Sequence, residues 1–166
     1  MKEHPLLFDA ESIEAYWAGR KSQTRRLITS RNSLLDGKPP SVDCAGAIRE
    51  TIWMNKVCLG VFHPTREPKH AQLWLPRIQP GDAIWWRSSI HMPRKACRIV
   101  TPIIRVRAER VNDITLTDIR AEGYPGPFNK SWMYQWWGKR WDAINRKRAP
   151  YSSNPWVWVY EWKGMV

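Results

Sequence analysis

A short helix with a clear marker at each end fixes how the fold begins. Asp9 has the side-chain acceptor that suits an N-cap, and Gly19 suits the position just after a helix. Between these markers Ile13, Tyr16 and Trp17 follow the i, i+3, i+4 spacing of an apolar helix face. The pattern predicts an amphipathic helix that packs this face against the rest of the chain.

A strongly basic segment, Gly19–Arg26, follows the helix directly. Its sequence, Gly-Arg-Lys-Ser-Gln-Thr-Arg-Arg, brings a lysine, a threonine and three arginines together. At a helix C-terminus such cations meet the negative end of the helix dipole. We expect an exposed basic turn, which is either a solvated corner of the fold or a site for an anionic ligand.

Helix and strand patterns intermingle along the remaining chain. Apolar runs predict strands at 6–8, 27–28, 83–87, 98–111 and 156–162, one or two strands within 48–62, and helices near 9–18, 115–122 and 131–145. The long strand contains Pro102, which predicts an edge position or a bulge. Because the elements show no βαβ regularity, we expect an α+β fold in a single domain that spans residues 1–166.

Two periodic patterns, one in the long strand and one in the last helix, indicate which faces are buried. In the long strand the apolar Ile104, Val106 and Ala108 alternate with charged residues, which predicts one wet face. In the last helix Met133, Trp137, Trp141 and Ile144 form one stripe. A tryptophan stripe at this spacing is typical of a core face rather than a platform on which bases stack.

Charge points to the kind of partner. The formal net charge of +12 and the pI near 10.1 favour an anionic partner, nucleic acid first, although a high charge also keeps proteins from aggregating.

The three cysteines are an odd number without paired spacing, and we find no secretory or membrane-spanning segment. We therefore expect a reduced, cytoplasmic protein that does not enter membranes. Cys58, His63 and His70 match no zinc spacing, so no metal site is predicted.

Four segments, in this order, resemble one known family. These are Gly19–Arg26, the Pro-Gly-Asp turn within Gln79–Trp85, the segment Ser89–Arg94 and the tail Asn154–Glu161. Together they resemble the ASCH-domain family, a branch of the PUA-like proteins, and within it the phage and prophage subgroup. The resemblance implies a small PUA-like β-barrel decorated by short helices, closed by the last strand, without a cofactor, in the cytoplasm of a bacterial host.

The first function that the resemblance implies is binding of RNA or another nucleic-acid ligand. The Gly19–Arg26 turn would hold phosphates in a basic cleft, with a second signature segment facing it. The predicted nucleic-acid-binding residues are Arg20, Lys21, Thr24, Arg25, Arg26, Arg87, His91 and Arg94. His91 is also a candidate proton-transfer group for ribonuclease chemistry, although a lone histidine beside a proline is more often structural.

The second function is catalytic and uses part of the same segment. Some small ASCH proteins cleave the acyl group from N4-acetylcytidine with a lysine, a threonine and a glutamate and no cofactor. The motif matches Lys21 and Thr24, and Glu122 lies in the comparable region for the acid. A threonine hydroxyl becomes a nucleophile when a base accepts its proton, and a lysine can be that base if its pKa falls toward neutrality. We predict Lys21, Thr24 and Glu122 as the catalytic candidates.

Two further points stay open at the level of the sequence. Many relatives have an acid after the arginine of the Pro-Gly-Asp strand, whereas here Ser88 follows Arg87, and Glu50 is a possible substitute for that acid. A third interpretation needs no ligand site, because the domain could serve as a protein-interaction module of a phage. The oligomeric state is not predicted.

Overall fold

The computed structural model describes residues 1–29, 47–53, 56–62 and 72–164, and it has an α+β fold. The strands are β1 (Glu3–Leu7), β2 (Gln23–Leu27), β3 (Ala47–Trp53), β4 (Lys56–Phe62), β5 (Gln72–Trp74), β6 (Ala83–Arg87), β7 (Val100–Arg110) and β8 (Trp156–Trp162). The helices are α1 (Ala10–Trp17), α2 (Leu116–Ala121) and α3 (Lys130–Asn145). In the described part of the chain, no helix is both long enough and apolar enough to cross a membrane.

Strand β8 organises the core because both of its faces are buried. Trp158 and Tyr160 pack into one hydrophobic cluster, together with residues of β6, β7 and the β4–β5 pair. Val157 and Val159 point the other way, into a second cluster that α2 and α3 cover. The alternation of large aromatic and small branched residues along β8 therefore supplies two cores from one strand.

The strands form two sheets. Five strands lie in the order β1-β6-β7-β8-β2, with β1 parallel to β6 and the other pairs antiparallel. The remaining three form the antiparallel sheet β3-β4-β5. The predicted closed barrel is wrong for the described strands: β1 and β2 are the two edges of an open sheet, and β8 lies inside it rather than closing it. The short strand β5 has no counterpart in the sequence-based prediction.

The bulge predicted at Pro102 is confirmed. The pairing of β7 with β8 shifts register between Ile103 and Arg105. A bulge moves every following side chain to the opposite face. Ile103 and Val106 are consequently buried, whereas the intervening Ile104 is 61% exposed. The simple alternation expected for this strand is therefore wrong at Ile104.

The basic segment is not the exposed turn that its charge suggests. Gly19 adopts the predicted left-handed conformation after α1, with φ of 70°. Beyond it Gln23–Leu27 is strand β2, paired with β8 along its whole length. Thr24 and Arg25 are each only 5% exposed. Hydrogen bonding to β8, together with acidic partners described below, overrides the turn preference of these polar residues.

The predicted helices are confirmed, with small differences at their ends. Asp9 caps α1 by accepting a hydrogen bond from the Ser12 amide at 3.0 Å. The stripe on α3 is largely core, since Met133, Trp137 and Trp141 are buried, although Ile144 is half exposed. The segments around His63 and His70, and the loop predicted after Thr29, lie outside the described residues.

Candidate functional site

A pocket between α1, β2 and α3, called the main pocket below because it holds the predicted catalytic residues, has a volume of about 460 Å³. Lys21 and Thr24 line it from the basic segment, and Glu122 lines it from the end of α2. Trp137 and Trp141 form a wall on the α3 side. The three residues predicted as catalytic therefore share one pocket, and its aromatic wall belongs to the core stripe of α3.

Glu122 and Lys21 form a buried ion pair in this pocket. Lys21 Nζ donates to Glu122 Oε2 at 2.8 Å and to the Glu122 carbonyl oxygen at 2.9 Å. Burial lowers the pKa of Lys21 from its ordinary value, although the Glu122 carboxylate opposes this shift. Burial opposes ionisation of Glu122, but Lys21 and Arg25 outweigh it and hold the pKa of Glu122 below its ordinary value. The pair combines a charged carboxylate with an amine that loses its proton more readily than a free lysine.

Arg25 holds the other oxygen of the same carboxylate. Its Nη1 donates to Glu122 Oε1 at 2.9 Å, and its Nε donates to Glu109 Oε1 at 2.6 Å. Its guanidinium also lies 3.4 Å from Asp118 Oδ2. The Arg25 side chain is fully buried, so these three acids neutralise it inside the protein. Its charge serves the internal network and leaves little for an external phosphate, contrary to the predicted phosphate-holding role of Arg25.

The backbone around Glu122 explains how its side chain reaches Lys21. Lys21 and Glu122 form an isolated antiparallel bridge that ties the basic segment to the end of α2. Gly123 follows with φ of +108°, a conformation that favours glycine. A Cβ at this position would also lie 2.8 Å from the Cβ of Ala15. Gly123 therefore allows α1 and the end of α2 to approach closely, which brings Glu122 into the pocket.

Arg26 is a cation of the segment that lines the main pocket and has a spare hydrogen-bond donor. Its Nη2 donates to the Leu7 carbonyl at 2.7 Å, and its guanidinium lies 4.7 Å from the centre of the Phe8 ring. Its Nε is buried and has no hydrogen-bond partner within the described parts of the chain. Arg26 lines the main pocket, so this donor is a candidate contact for a ligand carbonyl or anion.

Arg140 is a pocket residue that the sequence analysis did not assign. It donates to Asp9 Oδ1 at 2.6 Å and forms an ion pair with Glu11, which fastens α3 to α1. Burial opposes ionisation of Asp9, yet hydrogen bonds from Arg140 and Ser12 lower the pKa of Asp9 to about 2. Trp137, Arg140 and Trp141 lie on one face of α3 by helical spacing. The position of Arg140 beside the core stripe could therefore have indicated from the sequence that Arg140 lies near the pocket.

Four of the predicted binding residues do not line the main pocket. Arg20 lines a different pocket, beside α2. Arg94 is engaged by Glu3 through a salt bridge at 2.6 Å, and the Arg87 guanidinium lies 5.5 Å from the centre of the Trp85 ring. His91 is exposed near this group. Arg87, His91 and Arg94 would share a cleft with the basic segment only if the two signature segments faced each other, and none of the three lines the main pocket.

The open question about the acid of the site has a geometric answer. Ser88 lines a third, apolar pocket rather than the pocket of Lys21, so its substitution for an acid leaves the Lys21 pocket intact. Glu122 supplies the carboxylate that pairs with Lys21 there, whereas Asp9, which also lines the pocket, pairs with Arg140. The side chain of Glu50 lies outside what the structure describes. Among the described residues no group of histidine, cysteine, aspartate and glutamate side chains is arranged to hold a metal ion.

Comparison of the chain with models of known protein families, with curated proteins and with solved structures finds no match. The geometry of the site therefore carries the functional argument.

Proposed function

We propose that the chain is an amidohydrolase that removes the acyl group from an N-acylated nucleoside or a similar small amide. The observation that carries the proposal is the 2.8 Å contact between Lys21 Nζ and Glu122 Oε2 in a pocket that Thr24 also lines. Lysine, threonine and glutamate are the set that the resemblance implies for cleavage of N4-acetylcytidine. We further propose that the chain is an ASCH-type, PUA-like protein of phage or prophage origin.

The dimensions and charges of the pocket favour this activity over binding of an RNA strand there. A volume of about 460 Å³ falls in the range of sites for single small molecules. Lys21 and Arg25 already have a carboxylate partner, so a phosphate could pair with them only by displacing Glu122. Trp137 and Trp141 give the pocket an apolar wall against which a base can pack.

Each step of the proposed reaction uses a residue of the pocket. Neutral Lys21 takes the proton of the Thr24 hydroxyl while the oxygen attacks the carbonyl carbon of the amide. The Lys21 ammonium, stabilised by Glu122, then gives the proton to the leaving nitrogen as the C–N bond breaks. Lys21 then deprotonates a water molecule that attacks the Thr24 ester, and it returns that proton to the Thr24 oxygen as the C–O bond breaks and the carboxylic acid leaves. The Arg26 Nε–H is a donor available to the carbonyl oxygen of the substrate.

The protonation state of Lys21 makes the reaction pH-dependent. Only the neutral amine can accept the Thr24 proton, and its fraction rises as the pH rises through the pKa of Lys21 in the folded protein. Because burial places that pKa below the ordinary value of 10.5, kcat/KM should climb with pH and level off below 10.5. A pH–rate profile of the wild-type protein measures this. A profile that is flat over the same range would contradict the role of Lys21 as the base.

The activity itself is tested by incubating the protein with N4-acetylcytidine and following release of cytidine by chromatography. We expect turnover by the wild-type protein and none by Thr24→Val, which keeps the β-branched shape and removes the hydroxyl. Thr24→Ser, which restores a hydroxyl, serves as the matched control and should retain part of the activity. Absence of turnover by the wild-type protein on this nucleoside and on a panel of simple N-acyl amines would overturn the proposal.

Binding of a nucleic acid remains a second candidate function, favoured by the net charge of +12. Neutralised phosphates release counterions, so affinity for single-stranded RNA should fall by about 0.7 log units per tenfold rise in salt for each phosphate contact. Fluorescence anisotropy at several salt concentrations measures this slope. No affinity at low salt would remove this candidate. His91 lies outside the main pocket, so ribonuclease chemistry through His91 has no geometric support there.

A further inference from the structure

We infer that a second pocket, formed by Arg20, Thr117, Arg120, Tyr124 and Gly126, binds a phosphate of single-stranded nucleic acid, while Phe128 stacks on an adjacent base. This second pocket has a volume of about 400 Å³ and shares no lining residue with the main pocket. The inference rests on the second candidate function, binding of a nucleic acid, and does not depend on the proposed hydrolase activity.

The two arginines of the second pocket differ from those of the main pocket in their partners. Arg25 and Arg140 are each paired with acids, whereas no acidic side chain in the described parts of the chain pairs with Arg20 or Arg120. The Nε of Arg20 is buried and has no hydrogen-bond partner there. Two unneutralised guanidiniums facing one pocket form a fork for the oxygens of a phosphate.

Aromatic residues beside the arginines supply the contact for a base. The Arg120 guanidinium lies 5.9 Å from the centre of the Phe128 ring, and Phe128 is 65% exposed. Trp132, in the first turn of α3, is 57% exposed. Exposed aromatic rings next to unpaired arginines are the arrangement that single-strand binding surfaces use, since every base has a face that stacks.

The shape of the second pocket depends on the packing of Tyr124 and on a glycine at position 126. Tyr124 is buried and packs edge-on against Trp136 with ring centres 5.4 Å apart. A Cβ at Gly126 would lie 2.5 Å from the Tyr124 hydroxyl, so glycine is required there for this placement. Lys21 and Glu122, which form the isolated bridge, line the main pocket, whereas the residues that precede them, Arg20 and Ala121, line the second pocket.

The chemistry of a phosphate joined to a base is shared by free nucleotides and by strands. We assign a strand because Lys130 and Trp132, which follow Phe128 closely in the chain, are exposed as well. A strand is held by many weak contacts, so a free mononucleotide should compete poorly with it.

The test measures binding of a fluorescein-labelled oligouridylate of about ten nucleotides, a length within the usual site sizes. Arg20→Gln combined with Arg120→Gln should weaken binding at least about tenfold and reduce the salt slope by about 0.7, the value for one lost phosphate contact. Phe128→Ala should weaken binding about tenfold, whereas Phe128→Tyr should preserve it. The matched control, Lys95→Gln combined with Arg98→Gln, removes two exposed charges elsewhere and should change the salt slope less.

Three results would overturn the inference. The first is wild-type affinity and an unchanged salt slope in the Arg20/Arg120 double variant. The second is an equal loss in the Lys95/Arg98 control, which would mean that net charge alone attracts the strand. The third is competition by uridine monophosphate at the same concentration as the strand, which would identify a nucleotide pocket instead. Circular dichroism of each variant checks that the fold is retained.

Discussion

Replacing Glu122 with alanine is expected to lower the free energy of unfolding by about 3–5 kcal/mol, the scale for breaking a buried ion pair. The change leaves the Lys21 ammonium and part of the Arg25 guanidinium buried without their shared carboxylate. Urea denaturation followed by tryptophan fluorescence measures the loss. Glu14→Ala is the matched control, because Glu14 is an exposed residue of α1 and its replacement should change stability by less than about 0.5 kcal/mol.

Acid titration gives an independent measure of the same pair. The pKa of Glu122 is lower in the folded protein than its ordinary value of 4.5, so Glu122 stabilises the fold above pH 4.5. This contribution should disappear as the pH falls through the folded-state pKa. Glu122→Gln should lack that component of the acid-induced loss. Equal stability of Glu122→Ala and the wild-type protein would contradict the burial and pairing of Glu122.

Trp141→Ala should produce a second large loss of stability, about 3–5 kcal/mol, because it removes a large buried aromatic side chain. Trp141 is 2% exposed, packs beside Trp137, and donates from its Nε1 to the Ala149 carbonyl at 2.8 Å. Trp132→Ala on the same helix is the matched control and should have little effect, since Trp132 is 57% exposed.

The Trp141 prediction is checked by thermal and chemical denaturation of both variants. Because Trp141 also lines the main pocket, Trp141→Ala is expected to raise KM for the amide substrate. A small stability change in Trp141→Ala, equal to that of Trp132→Ala, would mean that α3 is not anchored through its tryptophan stripe.

Periodicity in the sequence was enough to predict the elements with a strong apolar pattern. The helices α1, α2 and α3 and the strands β7 and β8 lie close to where their patterns place them, and Pro102 marks the bulge in β7. Local patterns could not predict the open order of the five-stranded sheet or the short strand β5. These features depend on pairing between distant segments, which a local pattern does not record.

The candidate site could be predicted only in part, and the reason is electrostatic. Residues 23–27 look like a solvated turn because they are polar and charged, yet β2 is buried between β8 and the acids that face it. The partners of Arg25 are Glu109, Asp118 and Glu122. Glu109 and Glu122, which accept its hydrogen bonds, lie 84 and 97 residues away in sequence. No feature near Arg25 in the sequence indicates that these acids neutralise its charge.

The proposed hydrolase activity depends most directly on whether Lys21 and Thr24 act as one unit on an amide. The decisive measurement is release of cytidine from N4-acetylcytidine by the wild-type protein, Lys21→Arg, Thr24→Val and the double variant, each checked for folding by its melting temperature. Arginine keeps the charge of Lys21 but does not act as a base near neutrality. We predict near-complete loss in each single variant and no further loss in the double variant, as for groups that work together. Substantial turnover by a folded Lys21→Arg protein, or losses that add in the double variant, would contradict the joint action of Lys21 and Thr24.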